Sequence, residues 1–112
     1  MYELVSVIFP FADNVDKKKP RPGFVISPPF GKHQQVIVAY VTTKLDDVLA
    51  TDIIIDPAEP DFQKTGLIKK SVIKLHRVIT LQPTALKEGK GSLPDAIIPE
   101  LKEKLKKVFQ LT

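Results

Sequence analysis

The chain has 112 residues and contains no cysteine, which fits a single domain and excludes disulfide bonds, thiolate nucleophiles and cysteine-ligated zinc sites. Its Lys and Arg residues outnumber its Asp and Glu residues by 17 to 13, and this net charge of +4 favours a polyanionic partner while remaining compatible with an ordinary solvated surface. Since no apolar stretch reaches the ~18–20 residues of a membrane span and the N-terminus lacks the basic region of a signal peptide, we expect a soluble, cytoplasmic protein.

Six short segments of apolar and β-branched residues, separated by turns rich in Pro and Gly, predict β-strands. They span residues 2–9, 23–27, 35–43, 51–56, 71–75 and 78–81. The third segment is almost continuously apolar, which is typical of a strand covered on both faces. Many short strands at this spacing predict a mainly β fold, a barrel or a sandwich, in one domain over residues 1–112.

The last part of the chain changes its hydrophobic period from that of a strand to that of a helix. The apolar stripe consists of Ile97, Ile98, Leu101, Leu105, Val108 and Phe109, and lysines dominate the other face. Pro99 would cost about 3 kcal/mol in a helix interior. We therefore expect the continuous helix to begin near Ile98, with residues 92–96 as a separate turn in which Ser92 and Asp95 resemble a capping box.

A basic loop reading KKKPRP occupies residues 17–22. A lysine run such as Lys17, Lys18 and Lys19 usually contacts only solvent and has no binding function, and this interpretation stays open. Arg21 differs because a proline on each side fixes the backbone, so that the guanidinium is presented just as the chain enters a core strand. A planar, permanently charged fork of donors suits a phosphate.

Further polar candidates lie at strand ends, between apolar positions and in one polar loop. They are Thr42, Thr43, Ser71, His76, Arg77 and His33. A threonine at a sheet edge and a lone histidine are more often structural than functional, so both interpretations stay open for them. The two histidines lack the spacing of a metal-binding motif, and the chain has no Gly-rich phosphate loop. We expect neither a metal nor a cofactor.

The order of these segments resembles the MazF/PemK family of type II toxin–antitoxin endoribonucleases. The similar stretches are residues 9–13 (FPFAD), 18–27 (KKPRPGFVIS), 36–43 (VIVAYVTT), 65–81 (TGLIKKSVI followed by VITL) and 91–93 with the final helix. They match the family's first strand, its basic loop and "RPxLVxS" strand, its apolar strand ending in threonine, and its "GL-xx-SVI…TL" block. The resemblance covers essentially the whole chain.

This resemblance implies an SH3-like β-barrel of the CcdB/MazF type with a C-terminal helix, a homodimer, metal-independent cleavage of single-stranded RNA, and a cognate antitoxin that neutralises the growth-inhibiting toxin. By the same resemblance, Arg21 and Thr42 correspond to the catalytic arginine and threonine. Two positions depart from the family pattern: Ile79 stands where many members have arginine, and His76 stands where some have a functional aspartate.

The protons of the reaction need a group that titrates near neutrality. Arginine cannot readily act as a base, whereas histidine titrates in the useful range. His76 is therefore the first candidate for the proton shuttle and His33 the second. The expected RNA contacts are Lys17, Lys18, Lys19, His33, Thr43, Ser71 and Arg77.

Two other functions remain compatible with such a fold. A CcdB-like poison of a topoisomerase would use the same barrel without a catalytic pair. A non-catalytic SH3-like interaction module would have neither the active site nor the toxicity.

Overall fold

Strands and one C-terminal helix account for most of the fold, and the computed structural model describes residues 2–9, 19–87 and 89–111, with the side chain of Lys90 left aside. In this part of the chain the strands are β1 (Glu3–Val7), β2 (Arg21–Val25), β3 (Val36–Thr42), β4 (Ile53–Ile55), β5 (Ser71–Leu81) and β6 (Gly89–Ser92). The helix is α1 (Ile98–Phe109). Short 3₁₀ turns cover Phe62–Thr65, Pro83–Ala85 and Asp95–Ile97.

The strands form one antiparallel, curled sheet in the order β4-β5-β3-β2-β1-β6. The expected mainly β fold with a C-terminal helix is confirmed, and the sheet is a half-barrel whose edges are β4 and β6. The 3₁₀ turn Phe62–Thr65 packs on β6, where a Cβ atom at Gly91 would collide with the backbone of Lys64 and Thr65. Glycine is thus needed for this close approach.

Both faces of the sheet carry a hydrophobic core, because successive side chains of a strand point to opposite faces. The helix-side core consists of Leu4, Phe24, Ala39, Val41, Ile53, Ile55, Ile73, Leu75, Leu93, Ile97 and Leu101. The opposite core consists of Val5, Val7, Phe9, Val25, Val36, Val38 and Tyr40. Since β3 contributes to both cores, the prediction that this strand is covered on both faces is confirmed.

The structure corrects several element predictions. The segments 71–75 and 78–81 belong to one strand, β5, whose pairing with β3 is interrupted by a register shift between Ala39 and Tyr40. Strand β6 was not expected, because its sequence GKGS has no apolar alternation. The helix begins at Ile98 as predicted, and Pro99 lies in its first turn, where the missing N–H costs little. The 3₁₀ turn before the helix has no side-chain cap, so Ser92 and Asp95 form no capping box.

No helix among the described residues is long and apolar enough to cross a membrane.

Candidate functional site

A cavity of about 230 Å³ opens at the C-terminal end of β3. The side chains that line it come from β3, from the segment after β3 and from β5. They are Tyr40, Thr42, Lys44, Asp46, Asp47, Lys74 and Arg77. Tyr40 and Thr42 share one face of β3 because they are two residues apart, and Lys74 lies opposite Tyr40 in the β3–β5 register. The cavity therefore brings cations, carboxylates, a hydroxyl and an aromatic ring together.

Arg21 and Thr42 lie at the same end of two neighbouring strands. The paired positions of β2 and β3 end at Gly23 opposite Tyr40, and Arg21 and Thr42 each lie two residues beyond this pair in the antiparallel arrangement. Because residues two apart on a strand share a face, both lie on the face of Gly23 and Tyr40. Arg21 is not among the residues that line the cavity, and its buried Nε has no hydrogen-bond partner among the described residues. The two residues predicted to be catalytic thus share one end and one face of the sheet.

The hydroxyl of Thr42 is oriented by the turn that follows β3. Its Oγ1 accepts a hydrogen bond from the backbone N–H of Lys44 at 3.1 Å. A hydroxyl that already accepts one bond still has its own proton to donate. Thr42 is half-buried and lines the cavity, so this proton can reach an oxygen atom of a ligand there.

The guanidinium of Arg77 lies over an aromatic ring. Its guanidinium carbon lies 4.7 Å from the centre of the Tyr40 ring, and that ring meets Phe9 edge-on at 5.1 Å. The register shift in β5 produces this placement: Tyr40 pairs with Lys74 but the preceding Ala39 pairs with Val78. The three residues in between form a bulge, and bulges commonly re-aim a side chain near a functional site. The cation–π contact gives the guanidinium a fixed orientation at the cavity wall.

Lys74, which lines the cavity, belongs to a buried ion pair. Lys74 is 8% exposed, and its Nζ donates to Asp52 Oδ2 at 2.7 Å and to the backbone carbonyl of Asp47. Asp52, just before β4, also accepts the backbone N–H of Leu49 at 2.8 Å. Buried charges require such partners because isolated ones are very costly. These bonds fix the segment 44–52, which carries three of the cavity-lining residues.

His76 lies beside this ion pair rather than in the cavity wall. Its side chain is 44% exposed, and its Nδ1 is 3.9 Å from Asp52 Oδ1. Of the predicted RNA contacts, Arg77 lines the cavity, Thr43 is exposed immediately after Thr42, and Lys19 is exposed two residues before Arg21. Lys17 and Lys18 lie outside the described residues.

Two further candidates are not brought to the cavity. His33 lies in the turn before β3, whereas Thr42 ends this seven-residue strand, so the strand alone separates them by roughly 20 Å. Ser71 is 2% exposed, and its Oγ donates to the backbone carbonyl of Lys69 at 2.9 Å. Ser71 also lies two residues from Ile73 of the helix-side core, on the face away from Lys74. Its hydroxyl is therefore occupied inside the protein.

Sequence reasoning missed Tyr40, Lys74 and Asp52. The only signal for Lys74 was a charged residue inside an otherwise apolar strand segment, SVIKL. Such a lysine must find an anion if the strand is buried. Within the described residues, no group of three or more His, Asp or Glu side chains is arranged to hold a metal ion.

The amino-acid sequence matches one protein family. Residues 2–109 match the model of the PemK-like, MazF-like toxins of type II toxin–antitoxin systems. No curated protein sequence matches the chain significantly.

Several solved structures share the fold. The toxin MazF-mt6 of Mycobacterium tuberculosis superposes with a TM-score of 0.74 at 22% identity, covering 98% of both chains. An endoribonuclease in complex with its cognate antitoxin, from a mycobacterial species, gives a TM-score of 0.70 at 13% identity, covering 99% of this chain and 94% of the other. A mycobacterial endoribonuclease gives 0.66 at 14% identity, covering 98% and 90%. At these identities the likeness concerns the fold.

Proposed function

The chain belongs to the PemK-like, MazF-like family of toxins of type II toxin–antitoxin systems, and from this premise we propose that it is an endoribonuclease that cleaves single-stranded RNA without a metal ion. The observation that carries the proposal is that Arg21 and Thr42 share one end and one face of the β2–β3 pair, where Thr42 and Arg77 line a cavity. Three donors suited to phosphate oxygens thus lie at one end of the sheet. The family match favours this function over a topoisomerase poison or a non-catalytic module, both of which are compatible with the same fold.

The reaction follows from the chemistry of RNA. The 2′-hydroxyl attacks the adjacent phosphorus, the bond from phosphorus to the 5′-oxygen breaks, and negative charge accumulates on the phosphoryl oxygens. One proton leaves the 2′-hydroxyl, and one is delivered to the departing 5′-oxygen. Donors directed at the phosphoryl oxygens are usually the largest catalytic contribution, about 10²–10³-fold for each well-placed donor.

Each proposed residue has a distinct role. The guanidinium of Arg21 and the hydroxyl of Thr42 donate to the phosphoryl oxygens in the transition state. His76 transfers protons, since the imidazole is the side chain suited to this task near neutral pH. Arg77 binds a neighbouring phosphate from its position on the Tyr40 ring.

RNA binding involves further basic and polar residues. Lys19 and Thr43 extend the contacts to the backbone of the RNA strand, and we expect the same of Lys17 and Lys18, which lie outside the described residues. The carboxylates of Asp46 and Asp47 can accept hydrogen bonds from the amino groups of splayed bases, which is how single-stranded RNA is read.

We further infer a homodimer that acts in the cytoplasm and is held inactive by a cognate antitoxin. A mycobacterial endoribonuclease of this fold has been solved in complex with its cognate antitoxin, which supports this partner. Large apolar side chains remain exposed on the single chain, among them Ile68 at 94%, Leu111 at 74% and Phe30 at 54%. A second copy or an antitoxin would cover such surface. A monomer in sedimentation experiments at micromolar concentration would contradict the dimer.

The test is incubation of the purified protein with a long single-stranded RNA in EDTA. Discrete fragments are expected, whereas a topoisomerase poison or an interaction module would leave the RNA intact. The matched control is an oligonucleotide with a single 2′-deoxy substitution at the mapped cleavage site. Since the 2′-hydroxyl is the nucleophile, cleavage at that site should disappear, and persistent cleavage there would contradict the mechanism.

A further inference from the structure

The carboxylate of Asp52 is fully buried, but only one of its oxygens has a hydrogen bond. Oδ2 accepts from Lys74 Nζ at 2.7 Å and from the Leu49 N–H at 2.8 Å. Oδ1 is buried and has no hydrogen-bond partner among the described residues. A buried acceptor without a partner carries a desolvation penalty, and the penalty is larger for a charged group. Oδ1 thus needs a donor.

The imidazole of His76 is the group placed to satisfy it. His76 Nδ1 is 3.9 Å from Oδ1, which is longer than a hydrogen bond. The imidazole is 44% exposed, whereas the carboxylate of Asp52 is buried and held by the two hydrogen bonds to Oδ2. Catalytic hydrogen bonds are often long before substrate binds. The movement required for a hydrogen bond is therefore that of His76 towards Oδ1.

We propose that Asp52 positions His76 for proton transfer by accepting its Nδ1–H, an inference that rests on the proposed ribonuclease function. The hydrogen bond made by one ring nitrogen decides which nitrogen carries the proton. With the proton held on Nδ1, the other nitrogen, Nε2, exchanges protons with the RNA. Asp52 acts through His76 and not on the RNA itself, so it is a positioning residue.

A purely structural role for Asp52 makes a different prediction. If the carboxylate serves only to neutralise Lys74 and to anchor the segment 44–52, the imidazole has no reason to prefer Nδ1–H. The tautomer of His76 therefore separates the two roles without reference to activity.

The first measurement uses the wild-type protein. Long-range ¹H–¹⁵N correlation spectra at pH ~9, where histidine is neutral, distinguish a protonated ring nitrogen from an unprotonated one. The chain has two histidines, so a His33→Gln variant assigns the signals. The expected result for His76 is a proton on Nδ1 and none on Nε2. A predominant Nε2–H form in the wild type would overturn the proposal.

The second measurement uses Asp52→Asn. Lys74 Nζ and the Leu49 N–H are both donors. The oxygen of the new Asn side chain must therefore take the place of Oδ2 and accept from them. Its NH₂ group then faces His76 and donates to Nδ1, which forces the proton onto Nε2. The tautomer of His76 should thus invert, and single-turnover RNA cleavage should fall about 100-fold or more.

The matched control is Asp56→Asn at the other end of β4. Asp56 also pairs with a lysine, Lys70 at 3.5 Å, and also accepts a backbone N–H, that of Ala58 at 2.9 Å, but its carboxylate is half-exposed. Both the tautomer of His76 and the cleavage rate should remain unchanged in this variant.

The outcomes separate this inference from the proposed function. An inverted tautomer with an unchanged cleavage rate in Asp52→Asn would overturn the positioning role. If Asp52→Asn does not fold, the tautomer in the wild type decides. Wild-type protein that leaves RNA intact would overturn the proposed function, whereas protein that cleaves RNA while His76 carries its proton on Nε2 would overturn only the inference.

Discussion

The two ends of β3 carry similar polar residues but hold them very differently. At the C-terminal end, Lys74 is buried against Asp52, and Arg77 is stacked on Tyr40. At the N-terminal end, Lys32 and His33 are exposed in a turn where Gln34 bonds to the carbonyl of Gly31 within the turn itself.

This difference shows what distinguishes a site from a charged surface. Catalysis requires donors that are already oriented before the substrate arrives. At the C-terminal end the register and the ion pair supply this orientation, whereas at the N-terminal end solvent surrounds each side chain. Paired substitutions at the two ends test the comparison.

The largest expected effect is on stability. Lys74→Met should lower the free energy of unfolding by about 3–5 kcal/mol, because Asp52 would remain buried without a countercharge. Lys32→Met at the other end should change it by less than about 0.5 kcal/mol. Urea unfolding of both variants measures the difference. Equal midpoints would show that the two ends are equivalent and that the ion pair adds nothing.

The next effect is on the rate of RNA cleavage. Arg21→Ala should cost about 3–4 kcal/mol in the barrier, a 10²–10³-fold loss in single-turnover experiments. Arg21→Lys should recover part of the rate, since a point charge does not replace the planar fork. His33→Ala at the other end should retain the rate. Full activity in folded Arg21→Ala protein would exclude the proposed catalytic role.

Removal of one hydroxyl should have a smaller but clear effect. Thr42→Val keeps the shape of the side chain and removes the donor, so we expect cleavage to slow by about 100-fold. Thr84→Val is the control, because Thr84 is exposed just beyond Leu81, which pairs with Val36 at the N-terminal end of β3. If both variants cleave at the same rate, the hydroxyl of Thr42 does not act in the transition state.

The smallest effect is on the salt dependence of RNA binding. Loss of one phosphate contact on a single strand changes the slope of log K against log salt concentration by about 0.7. Arg77→Gln should flatten the slope by this amount, and Arg77→Lys should retain it because the charge remains. Fluorescence anisotropy with a 2′-deoxy oligonucleotide measures binding without cleavage. An unchanged slope for Arg77→Gln would mean that Arg77 contacts no phosphate.

Part of the fold was predictable from the local pattern of apolar residues in the sequence. The apolar run over 36–42 and the helical stripe from Ile98 were predictable because hydrophobic periodicity reflects which faces are buried. Strand β6 was not predictable, since GKGS has no such pattern. Its Gly91 is required by the close approach of the turn Phe62–Thr65, a contact that exists only in the folded chain.

The candidate site also has a part that the sequence predicts and a part that only the folded structure reveals. The sequence by itself determined the chemical groups: an arginine stiffened by two prolines, a threonine at the end of an apolar strand, and a histidine between apolar strand positions. The tertiary structure alone decided which of them meet. The pairing of β2 with β3 put Arg21 and Thr42 at the same end of the sheet, the β5 bulge placed Arg77 over Tyr40, and packing paired Lys74 with Asp52. The residues of these three pairs lie between 21 and 37 positions apart in the chain. No local preference encodes a contact at such a separation, because the contact forms only when whole strands bury their faces together.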